Sequence, residues 1–156
     1  MLFKPANLLR RFFAALIDIV LIIPLITIGI LITNHILGLP VTPELSMHGL
    51  EIRMDEWAHE HFWQIVILYS SVKLIIAFFY FALFESSKWQ GTPGKRLLKI
   101  KVTDLPRNRI SLRRSAVRFL GRILSAQLMI GYIMIFFTEK NQGLHDIIAK
   151  TLVLEC

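Results

Sequence analysis

Two long apolar runs separated by polar segments of opposite charge dominate the chain. Phe12 to Thr33 is apolar apart from Asp18 and two threonines, and Phe62 to Phe84 is broken only by Gln64, two serines and Lys73. Each run meets the roughly 20 residues a helix needs to cross the hydrocarbon. A basic start, Lys4, Arg10 and Arg11, precedes the first run, as in a signal peptide. The run is too long for a signal's apolar region and ends in Ile-Thr-Asn-His, with no small-residue cleavage site, so it reads as a retained helix. A third block, Leu112 to Phe137, is less regular. It carries Arg113, Arg114, Arg118 and Arg122, and its clean stretch from Ile123 to Thr138 contains Gly131. That stretch is short for a straight span. It either crosses once, or breaks into re-entrant half-helices that return the tail to its starting side. The second arrangement is the expected one, because Lys99 to Thr103 and Thr151 to Glu155 both read as short strands and an isolated strand has little reason to form. The expected architecture is all-α transmembrane: two full spans and a broken third block, with a small β pair at residues 99–103 and 151–155. The 156 residues form one domain, 1–156, without internal repeats.

Charge orients these elements. Between Glu85 and Arg114 there are nine Lys or Arg against two acids. Residues 34–61 instead carry Glu44, Glu51, Asp55, Glu56 and Glu60 against Arg53 alone. Positive loops stay on the cytoplasmic side, which places both the N-terminus and the 85–114 loop there, and Cys156 with them if the strands pair. Trp57, Trp63 and Tyr69 fall where an interfacial aromatic belt is expected. The net charge of +7, clustered in this way, points to anionic headgroups and not to nucleic acid. The single cysteine excludes an internal disulfide and a Cys-rich metal site.

Candidate chemistry lies in the charges embedded in apolar surroundings. Asp18 is seven residues past Arg11, nearly two turns, so the two share a face, and a carboxylate at that depth must face the bundle, be paired or be protonated. It is either a cation or proton site or a polar clasp between helices. Lys73, near the middle of the second run, is within snorkelling reach of Asp18 as an ion-pair partner, acting as a surrogate cation. Arg118 and Arg122, four apart, share a helix face and point to headgroups or to Asp146. Asp146 is either the N-cap of a short helix from Ile147 to Lys150 or an ion ligand. Gly91-Thr92-Pro93-Gly94-Lys95 lacks phosphate-loop spacing and reads as a tight turn at the exit of the second span. His59-Glu60-His61 is not a zinc-hydrolase motif and reads as a solvated interfacial segment. No nucleophile–base constellation is legible, so no enzyme, metal or cofactor is expected.

Four segments together resemble the RDD family of small bacterial membrane proteins. They are Arg11-Phe12-Phe13-Ala14-Ala15-Leu16-Ile17-Asp18; Gly91 to Leu98 followed by Val102-Thr103-Asp104; Arg118; and Gln142-Gly143-Leu144-His145-Asp146 with Ala149-Lys150-Thr151. The second family aspartate falls on Asp146. The departures are His145 and Lys150, where the family often has glycine. The resemblance implies a bacterial inner-membrane, multi-pass protein with a transport-related role, sodium/proton antiport having been proposed for some members. Asp18, Arg11, Lys73 and Asp146 would then form the ion-binding network, with monovalent cations as ligands. Three helical segments cannot easily enclose a pathway, so transport implies a homo-oligomer or a partner membrane protein. The alternative is a non-transporting scaffold or assembly factor. Its basic surface (Lys95, Arg96, Lys99, Lys101, Arg107, Arg109), with Arg118 and Arg122, would meet lipid or an acidic partner.

Overall fold

The computed structural model of the chain describes residues 4–39, 61–128, 134, 138 and 141–156. Helix α1 spans Leu8–Leu37 and α2 spans Phe62–Ser86, each long and apolar enough to cross a membrane. Their apolar side chains are mostly exposed, among them Val20, Ile23, Ile67 and Ile75, the pattern of a surface solvated by lipid. The short helix α3 spans Pro93–Leu97, strand β1 Ile100–Asp104, α4 Leu112–Leu128, α5 Leu144–Ile148 and β2 Thr151–Glu155. The mostly helical architecture with two candidate spans and a small sheet agrees with the pattern read from the sequence. The part of the third block beyond α4, where a break was expected, lies outside the described residues except for Met134 and Thr138. So do Trp57, His59 and Glu60.

The chain divides into two compact units, residues 23–77 and residues 1–22 with 78–156. In the first of these, Gly29 lets the two helices approach closely: a Cβ there would collide with the Ile76 side chain. The Tyr69 hydroxyl donates to the buried Asn34 Oδ1 at 2.7 Å, satisfying both polar groups in apolar surroundings.

The other unit is built on the strand pair. β1 and β2 are antiparallel, with Val102 opposite Val153 and Asp104 opposite Thr151. The N-terminal residues flank β2 on its other edge. The Ala6 N–H donates to the Val153 carbonyl at 2.9 Å, and the Glu155 N–H to the Lys4 carbonyl at 3.0 Å. Ala6, Ala14, Ile100, Val102, Ile110 and Val153 form the apolar core, with Leu98 against it. A two-stranded ribbon alone is marginal in water. Here the chain start protects its edge, and its inner face is packed.

β2 is entered through a left-handed residue: Lys150 has φ 52°, just past Ala149, the C-cap of α5. Glycine takes this conformation without cost, so a lysine here carries local strain. Lys150→Val is expected to lower stability by about 1 kcal/mol, because a β-branched residue tolerates positive φ worst. Lys150→Gly is expected not to lower it. Thermal unfolding of the purified protein in detergent checks both, and an equal loss for the two variants would remove the turn as the cause.

Candidate functional site: a buried knot of charge

Two polar clusters lie within the unit that contains the sheet. The smaller centres on Asp18, which is 2% exposed. Its Oδ1 accepts the Gly94 N–H at 2.9 Å and the Tyr80 hydroxyl at 3.0 Å, while its Oδ2 accepts the Thr92 hydroxyl. These donors come from α2 and from the start of α3. Thr92 is the N-cap residue, and Pro93 opens the helix where its missing N–H costs nothing. Gly94 is required by contact. A Cβ would come within 2.8 Å of Asp18 Oδ1 and closer still to the Ala14 carbonyl. The Thr-Pro-Gly turn thus presses the orphan donors of one helix onto a carboxylate carried by another.

The larger cluster is a chain of ion pairs. Arg11 Nη1 donates to Asp146 Oδ2 at 2.7 Å. Arg118 gives its Nε and Nη2 to Asp146 Oδ1, at 2.9 and 2.5 Å, and its Nη1 to Glu85 Oε2 at 3.2 Å. Glu85 Oε1 also accepts from Lys95 and Arg122. Arg118, Glu85 and Asp146 are each at most 1% exposed. The knot therefore ties together α1, α2, α3, α4 and α5. Breaking a buried pair of this kind typically costs about 3–5 kcal/mol, because the partner is left charged and unpaired. The Arg122 guanidinium also lies over the Phe81 ring, 4.6 Å from its centroid.

Electrostatics follow from burial and neighbours. Burial pushes the Lys95 ammonium down to about 7; the Arg122 charge adds to this and Glu85 opposes it. Burial alone would raise the Asp146 carboxyl, but Arg118 and Arg11 outweigh it and hold it well below the usual carboxylate range. Burial pushes His145 down to about 3, helped by the charges of Arg118, Arg122 and Lys95 and against the pull of Asp146.

The structure redistributes the residues singled out by the sequence. Arg11 and Asp146 meet directly, in the large knot. Asp18 is separate from them: its acceptors face two hydroxyls and a backbone N–H, not a cation. Lys73 is exposed and makes no ion pair among the described residues, and it belongs to the other compact unit. Arg118 points to Asp146 and not to headgroups. Lys95, placed by sequence on the docking surface, is buried against Glu85. Arg96 is exposed and stacks over Trp89, 4.6 Å from the ring centroid. Asp146 is not an N-cap. Gly143 holds that position, and Asp146, at the third residue of α5, accepts the Gly143 N–H at 3.3 Å. Glu85, Tyr80 and Thr92 were missed. Glu85 read only as the polar end of a span, although a carboxylate amid nine basic residues was a signal that it would gather several of them.

An α-helical membrane protein with two candidate spans, a small antiparallel sheet and a buried arginine–carboxylate knot is thereby defined. The RDD family model matches residues 5–150, and the chain belongs to that family. It is 33% identical to the Bacillus subtilis (strain 168) protein YxaI over 153 residues, covering 97% of both chains. It is 23% identical to the human protein FAM8A1 over 164 aligned positions, spanning 96% of this chain and 40% of that one. No solved structure gives a significant match. Arg11 and Asp146, both singled out in the sequence, are direct partners here, 135 positions apart.

The neutral, buried His145 makes stability acid-sensitive. An unfolded chain binds its proton near 6.5, whereas the folded chain refuses it until about 3, so acidification across that interval favours unfolding. Between pH 8 and pH 5 the loss is expected to be about 2 kcal/mol. His145→Gln should flatten that part of the profile. An unchanged slope in thermal unfolding of the variant would contradict the assignment.

Proposed function

We propose that the protein is a non-transporting membrane scaffold. It holds a compact polar unit at one membrane face and presents basic side chains there to anionic headgroups and to the acidic surface of a partner membrane protein. The observation that carries this reading is that Asp18, Glu85 and Asp146 are all occupied by donors of their own fold, so an entering cation would have to displace several internal bonds. Lys88, Arg96, Lys99 and Arg109 are exposed. The positive-inside tendency puts this face in the cytoplasm, and a bacterial inner membrane is the matching location. No step in this role needs catalysis or a cofactor.

Cation/proton exchange at Asp18 is the second reading. It draws on one feature: the Asp18 donors are uncharged, so no internal cation competes at that carboxylate. In this reading a homo-oligomer or partner subunit completes the pathway.

Inverted vesicles carrying a pH gradient separate the two. On the scaffold reading, sodium, lithium or potassium dissipates the gradient no faster with the wild type than with empty vesicles. Asp18→Asn then lowers the unfolding midpoint, because it weakens the acceptor that holds Tyr80, Thr92 and Gly94. Cation-driven dissipation by the wild type that Asp18→Asn abolishes at matched expression would overturn the scaffold and establish exchange.

A further inference from the structure

The large knot is not balanced. Four cationic side chains, Arg11, Lys95, Arg118 and Arg122, meet two carboxylates, Glu85 and Asp146. The three arginines alone outnumber these two carboxylates. The surplus has a location. Arg11 Nε and Nη2 and Arg122 Nη1 are buried and have no hydrogen-bond partner among the described residues. The Arg11 side chain is only 10% exposed. A buried donor without an acceptor costs about 1–3 kcal/mol, and more when charged.

The identity of the orphaned atoms is informative. Nε and Nη2 form the side-on edge of a guanidinium, two parallel N–H groups spaced for two oxygens of one anion. Arg118 offers that same edge to Asp146. Arg11 is joined to Asp146 through Nη1 alone, so its bidentate edge is unspent. The carboxylates of the knot cannot serve it. Glu85 already receives Lys95, Arg118 and Arg122, and Asp146 receives Arg11, Arg118 and the Gly143 N–H.

Depth points to the chemistry of the missing acceptor. Arg11 lies three residues beyond the first residue of α1, about 4.5 Å along its axis, and Glu85 is one residue from the last of α2. The knot is therefore at the ends of both candidate spans, where a helix that crosses the hydrocarbon emerges toward the headgroups.

We propose that the unspent edge of Arg11, on the cation-rich knot to which Arg122 contributes its charge, forms a binding site for a phosphate-class oxyanion. The occupant is a phospholipid headgroup or a free phosphate, which share the recognised group. The site is independent of the scaffold reading and of the exposed basic surface. Binding would satisfy the Arg11 edge and neutralise the surplus that Glu85 and Asp146 leave.

The test uses the full chain, purified in a neutral detergent and delipidated. Inorganic phosphate is titrated against chloride at matched ionic strength, and phosphatidylglycerol against phosphatidylcholine in mixed micelles. Unfolding midpoints are followed, with native mass spectrometry to count retained adducts. A midpoint rise of about 4 °C with inorganic phosphate identifies a free anion as a sufficient ligand. A comparable rise only with phosphatidylglycerol, with one lipid retained, identifies the headgroup. In either case Arg122→Gln and Arg11→Gln should each reduce the shift at least several-fold, while Arg113→Gln, an exposed arginine of α4, leaves it intact. No shift in the wild type with either ligand overturns the site, as does an equal loss in the Arg113→Gln control. If either knot variant fails to fold, the wild-type shift and adduct count still decide.

Discussion

The fold depends on one electrostatic constraint. A guanidinium or carboxylate removed from water must find its counter-charge within the protein, because the desolvation cost otherwise exceeds what packing of a small unit returns. This chain meets that constraint by convergence. Asp146 and Glu85 are bridged by Arg118, and α1 and α3 each deliver one cation to the same pair. The apolar core of the sheet-containing unit is modest, made of alanines, valines and isoleucines around two five-residue strands. The ion-pair chain supplies the register the core cannot. It fixes which turn of α1 meets α5 and which face of α4 turns inward.

The Asp18 clasp solves a smaller version of the same problem with neutral donors. A short helix of five residues has little stability alone. Its N-terminal donors are spent on a carboxylate, and Gly94 removes the one atom that would hold the two apart. The central Gly-x-Pro-Gly-Lys element is then a set of contacts. Thr92 and Gly94 reach Asp18, Pro93 sets the helix start, and Lys95 crosses to Glu85. The two clusters are linked through adjacent residues of α3, Gly94 and Lys95, so a change in this segment bears on both.

Much of this was legible in the sequence. The spans were visible in their length, the strand pair in its period-two alternation and β-branching, and the importance of Arg11, Asp18, Arg118 and Asp146 in polar residues set among apolar ones. What the sequence withheld was azimuth and partner. Seven residues of spacing put Arg11 and Asp18 on one face, yet they serve different clusters, since each meets whatever α3 and α5 bring alongside. Lys73 stood out by its depth in the second run, and among the described residues it is exposed and makes no ion pair. Glu85 was hidden by its position at a helix end, where a carboxylate usually marks only a boundary. The helix begins before Asp146: Gly143 holds the N-cap, and the Asp146 carboxylate three residues on reaches back to the Gly143 N–H.

The central claim is that the knot acts as a coupled structural unit. A double-mutant cycle on Arg118 and Asp146 tests it most directly, with unfolding free energies measured for Arg118→Met, Asp146→Asn and the double variant in one detergent. The account predicts strong non-additivity, with a coupling energy of about 1–3 kcal/mol and a double variant no worse than the weaker single. Additive losses would contradict it and reduce the knot to a collection of independent contacts.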